Sequence, residues 1–274
     1  MATYTTTAIA SLSTVAVASL GTSDVSALGT SQVAAFNTAQ IRALTTEQAQ
    51  VLASDQVAAL GTLQIAALES RDLTALQGAA LQALSSLQVA ALGTAQVFAL
   101  TSTQIAALSS ASVAALSTSQ IRALSTSQAD ALGTAQAAAL RTAQIAVLSS
   151  ENVRALGADA LSVLLSAQID ALSTAQAAAL TTAQFAALSA TQVLALGSEA
   201  LAAVGSAQVA ALSTSAVRAL STAQIAALST GRVAALGTDQ IQALGTAQIV
   251  ALTTAQVQSI ETTDMAALAT AVVA

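Results

Sequence analysis

Leucine returns at every eighth residue from Leu12 to Leu268, and the register runs from Thr5 through 33 octads without an insertion or deletion. Only Phe36, Val204 and Ile260 stand in its place. With the octad numbered 1 to 8, position 8 is this leucine, position 7 is mostly Ala and position 5 is mostly Ile or Val. Position 2 is Thr or Ser except at Gly78, Ala158 and Ala190, and position 4 is Gln in 21 octads. Positions 1, 3 and 6 vary.

Positions 5 and 8 are three apart. A strand would set them on opposite faces, whereas a helix sets them on one side. Ala, Leu and Gln also favour helix. The run Ser221 to Leu228, S-T-A-Q-I-A-A-L, begins as a capping box. Its first hydroxyl accepts the N–H three residues on and the Gln reaches back, while Leu220 and Ile225 form the hydrophobic staple. Where position 1 is glycine, as at Gly93 and Gly245, Thr94 or Thr246 is expected to take over the cap. Glycine there also suits a left-handed residue closing the preceding helix.

One continuous helix is excluded. Eight residues at about 100° each overshoot two turns by roughly 80°, so the leucines would spiral around the cylinder. Short helices, in turn, are unstable alone in water. Each must bury its stripe against earlier and later octads, which is the logic of a solenoid. The expected fold is therefore all-α: one helix of 6–7 residues per octad, 33 in register, wound into a rod. Positions 5, 7 and 8 form the core, as in Ile225, Ala227 and Leu228. Position 2 becomes a half-buried hydroxyl ladder, as in Thr94, Thr118, Thr126, Thr174, Thr222 and Thr246.

The 20 charged residues sharpen this. Three fall in position 1, seven in 3, four in 4 and six in 6, with none in 2, 5, 7 or 8. Charges avoid burial unless paired, so the pattern supports the same core.

Along the chain, residues 1–20 hold two atypical octads without the position-4 Gln, read as poor helices or a pairing segment. Residues 21–268 form the regular array, and 269–274 a tail. Glu69 to Leu84 is the most degenerate pair, with Gly78 in place of the cap hydroxyl, and an irregularity is expected there. Ala-Leu pairs at Ala80, Ala160 and Ala200 are spaced by multiples of five octads, a candidate superhelical period. The charge-free run from Leu73 to Ile121 raises the membrane question, but every octad in it carries hydroxyl or amide groups, without an aromatic belt or flanking Lys and Arg. Membrane insertion is not expected.

Composition excludes much chemistry. With no His or Cys, neither a Ser-His-Asp nor a Cys-His arrangement can form, nor a His or Cys metal site. The chain also lacks calcium loops of known pattern and phosphate-cradling glycine loops. No enzyme activity, cofactor, metal or small-molecule substrate is expected. A net charge of −6 with no Lys argues against nucleic acid. The N-terminus has no cleaved signal peptide of ordinary form, which fits a cytoplasmic protein or one exported by a C-terminal signal.

The ends are apolar: Ile9, Leu12, Val15 and Val17 at one, Met265, Leu268, Val272 and Val273 at the other. Complementary apolar ends make a heterologous contact that does not close and so builds a filament. The partner expected is a second copy, head to tail.

The motif L-[ST]-x-x-Q-[VI]-x-A resembles the helix start of TAL-effector repeats, but their longer period and base-reading pair are missing, so DNA binding does not carry over. Over all 33 octads the chain is similar to low-complexity octapeptide arrays of large bacterial secreted or surface proteins. That resemblance implies an extracellular or cell-surface structural protein, assembling into a filament or sheath. The alternative is a spacer or adhesin stalk displaying ligands on positions 3 and 6. An ice-binding threonine ladder is a remote third reading.

Overall fold

A computed structural model describes residues 4–266. Contacts divide the chain into two units, Met1–Ala139 and Leu140–Ala274. The first holds helices α1 (Thr6–Ser11) to α17 (Thr134–Ala139), and the second α18 (Thr142–Ile145) to α32 (Thr254–Ser259). Among the described residues there is no strand, and each unit is an α-solenoid with one short helix per octad.

Every octad repeats one piece of backbone. In the octad Ser221 to Leu228, Ser221 is extended (φ −71°, ψ 159°) and its hydroxyl accepts the Gln224 N–H at 3.1 Å. Thr222–Ala227 is helical, and the Leu228 N–H closes the last turn on the Ile225 carbonyl at 3.2 Å. Leu228 is extended again (φ −66°, ψ 138°). Two extended residues in series turn the corner, so no left-handed residue is required. Among the described residues no glycine has a positive φ. Gly93 and Gly245 are extended N-caps at φ −71° and −78°, which any residue can adopt. The expectations of a left-handed glycine and of threonine taking over the cap are both corrected: Thr94 and Thr246 are the first residues of their helices.

Positions 5 and 8 form the core, as Ile225 and Leu228 show at 1% and 3% exposure. Position 7 lies at its margin, and Ala227 is half-buried. The degenerate pair is regular in its helices, and its irregularity lies in the side chains at position 4, Asp72 and Ala80. Helix α10 (Gly78–Gln82) starts in register behind Gln77, with Leu81 fully buried. The first two octads are likewise ordinary helices, α1 and α2 (Thr14–Ala18), capped by the Thr5 and Ser13 hydroxyls at 3.1 Å.

Helices pack against those three octads away, α6 (Thr46–Gln50) on α9 (Ser70–Ala75) and α22 (Thr174–Ala179) on α25 (Ser198–Ala203). Side-chain bonds join octads four apart, as from Gln40 to Leu12, a separation of 28 residues. One superhelical turn therefore takes about three and a half octads, not the five suggested by Ala80, Ala160 and Ala200. No helix among the described residues is long and apolar enough to cross a membrane.

Candidate functional site: a glutamine ladder and its breaks

The side chain that ties one turn to the next is the position-4 glutamine. Gln40 Oε1 accepts the N–H of its own N-cap, Asn37, at 2.7 Å, as the capping box requires. Its Nε2 donates to the carbonyls of Ile9 and Leu12, both at 2.8 Å, in the previous turn. In the second unit Gln256 repeats this, accepting from Thr253 N–H at 2.7 Å and donating to Ile225 and Leu228 at 2.9 and 2.7 Å. Both glutamines are nearly inaccessible to solvent. A primary amide has one acceptor and two donors to place, and here all three are used. Buried polar groups are tolerated only when bonded in this way.

The ladder starts at Gln32, whose amide reaches the Tyr4 carbonyl. The octads before it carry Ala8, Ala16 and Asp24. The octads of Ala8 and Ala16 are nonetheless capped helices, so the missing glutamines there do not reflect poor helix formation. Arg232 takes the same register in the second unit, its Nε donating to the Val204 carbonyl 28 residues back at 2.5 Å.

Two consecutive octads of the first unit break the ladder, with Asp72 and Ala80. Ala80 lies on an open groove of ≈490 Å³ lined by Leu52, Ala53, Gln77 and Ala80 itself. Leu52 is the residue whose carbonyl a glutamine at position 80 would reach. Ala80→Gln is expected to restore the rung and stabilise the first unit by about 1 kcal/mol, the net value of a well-made hydrogen bond. Urea unfolding measures it.

Asp72 sits among charges. Its side chain is fully buried, and Oδ1 accepts the Thr46 hydroxyl at 2.8 Å. Arg71 Nε lies 3.6 Å from the same oxygen, while Arg71 Nη2 pairs with Glu69 at 2.7 Å. Oδ2 is buried without a hydrogen-bond partner. Burial pushes the Asp72 carboxyl above its ordinary value, against the opposing pull of Thr46 and Arg71. Glu47, on the exposed side, is held low by its own backbone N–H, then by Thr45, with a smaller contribution from Arg71. An open cleft of ≈520 Å³ beside this group is lined by Val15, Arg42, Leu44, Glu47 and Arg71. The pairing of a position-2 hydroxyl with a position-4 acid recurs between Thr238 and Asp264 at 2.6 Å.

The other expected site residues separate by burial. Thr94, Thr118, Thr126, Thr174, Thr222 and Thr246 are all exposed, not half-buried. The hydroxyls capping four of these helices belong instead to the residues before them, Ser117, Ser125, Ser173 and Ser221. Of the apolar end residues, Ile9 and Val17 are fully buried core. Leu12 and Met265 are half-buried and Val15 is 78% exposed, while Leu268, Val272 and Val273 lie outside the described residues. Among the described residues no group of three or more acids could hold a metal ion.

A repeated short helix, a core of two columns and a bonded ladder between turns define an α-solenoid repeat protein. The ALTTAQ repeat model matches eight segments, most of them overlapping a neighbour, 25–62, 65–102, 87–118, 105–142, 138–174, 193–230, 201–238 and 232–260. The chain belongs to the ALTTAQ repeat family. Thr253, Thr254, Ala255 and Gln256, following Ala251 and Leu252, spell the motif in full. No curated protein matches the chain.

Proposed function

We propose that this repeat protein is a non-catalytic structural element that assembles end to end with copies of itself into an extracellular filament or sheath. The observation that carries the reading is a difference in burial between inner and terminal turns. Positions 5 and 8 are closed within the units, but Leu12 and Leu20 are only half-buried at one end, and Ile249, Leu252 and Val257 at the other. Apolar surface of this kind is stabilised by contact with another copy.

A spacer or stalk at the cell surface is the second reading. It is favoured by Ala8, Ala16 and Asp24, which offer no glutamine amide to a preceding copy. Cryo-electron microscopy of the purified chain across a dilution series separates the two. The filament reading expects polymers with a regular axial repeat that persist on dilution. Separate particles at every concentration would overturn it and leave the spacer.

A further inference from the structure

Asp72 occupies a slot built for a hydrogen-bond donor. Glutamines in this register donate to carbonyls 31 and 28 residues back, as Gln88 does to Val57 and Leu60 at 3.0 and 2.7 Å. For position 72 those residues are Ile41 and Leu44. An ionised carboxylate has only acceptors to offer there. Its Oδ1 is satisfied by the Thr46 hydroxyl, but Oδ2 has neither a partner nor accessible surface. A fully enclosed oxygen admits no metal ion with its coordination shell and no ligand from solution, so its missing partner must be as small as a proton.

We propose that Asp72 is a proton-operated rung of the ladder: neutral, with the proton on Oδ2, it closes the turn, and ionised it loosens the first unit around α6 and α9. The charged groups facing it are few. Helix α6 contributes Glu47, and α9 itself contributes Glu69 and Arg71. Helix α12 (Thr94–Ala99), packed on the other side of α9, carries no titratable residue. Arg71 divides its charge between Glu69 at 2.7 Å and Asp72 at 3.6 Å, so the cation paired with Asp72 is already engaged, and Arg42 lines the adjoining open cleft with it. Burial dominates the balance and favours the neutral form.

The sign follows from linkage. The folded carboxyl binds its proton more tightly than the unfolded one, whose ordinary value is about 3.9. The first unit therefore pays no penalty below that value, loses stability as pH rises through the folded value, and is flat above it.

The test compares the full chain with Asp72→Asn and Asp72→Gln between pH 4 and 8. Asn keeps the neutral shape and Gln restores the standard rung. Both variants should melt about 2–4 °C above the parent chain at pH 8, with the gap closing towards pH 4. In parallel, carboxyl carbon NMR should show Asp72 titrating above 3.9, a readout that holds even where a variant folds poorly. A stability gap independent of pH, or an Asp72 titration at or below the ordinary value, would overturn the proposal.

Discussion

Phe185→Ala should destabilise the second unit by about 3–5 kcal/mol, the cost of emptying a large aromatic site in a packed core. Phe185 is fully buried, and it is the largest side chain to be so. It lies on α23 (Thr182–Ala187), which packs between α20 (Ala158–Ser162) and α26 (Ser206–Ala210). A residue in this slot serves both neighbours, so its loss should be felt in the turns above and below. Because stability in a repeat array is a sum of local terms, the damage should remain local. Hydrogen exchange is expected to accelerate at the Leu164, Leu188 and Leu212 amides while the Ile241 amide keeps its protection. Uniform acceleration across the second unit would mean that it unfolds as one cooperative block.

Gln176→Leu should cost about 2–4 kcal/mol, a penalty set by polar groups rather than by volume. The glutamine accepts from the Ser173 N–H at 2.7 Å and donates to the Ile145 and Leu148 carbonyls at 2.9 and 2.8 Å. Leucine fills similar space but leaves buried main-chain groups without a partner, each worth about 1–3 kcal/mol. Ile145 retains part of its bonding, since its carbonyl also accepts the Leu148 N–H at 3.2 Å. The full sum is therefore not expected. Urea unfolding should show the loss in midpoint with an unchanged slope. A change below about 0.5 kcal/mol would mean that water replaces the amide, and that the ladder confers register rather than stability.

How far the residues alone disclose this depends on the distance between partners. Ile225 and Leu228 are legible as core because their spacing is short and helical. The Oε1 contact of Gln224 is legible for the same reason, its partner being three residues away. The Nε2 contact is not: its acceptors, Val193 and Leu196, lie 31 and 28 residues back. Nothing in a period of eight states how many octads complete a turn. Charge was a mixed guide. Position 4 accepts Asp72 and yet is buried, because its glutamines bond their polar groups there, while Asp72 bonds only one of its two oxygens. Position 2 carries no charge and yet is largely exposed. Thr46, Ser206 and Thr238 use their hydroxyls to bond the next turn; nothing in the structure explains the lack of charge at the remaining octads. Ile9 and Val17 looked like the exposed ends because they come early in the chain, but position 5 is buried even in the first turn.

The ladder also has a direction. Among the described residues the glutamine amides of the ladder look back, from a later residue to a carbonyl laid down about thirty residues earlier, as from Gln40 to Leu12 and from Gln256 to Leu228. A chain emerging N-terminus first brings each new amide donor to acceptors already in place, whereas the hydroxyls of Thr46, Ser206 and Thr238 wait for acceptors made later. The first three octads, with Ala8, Ala16 and Asp24 at position 4, carry no such donor. Local pairing of this kind favours rapid folding, and here it allows growth by accretion, each octad laid on the course below it as the chain is delivered.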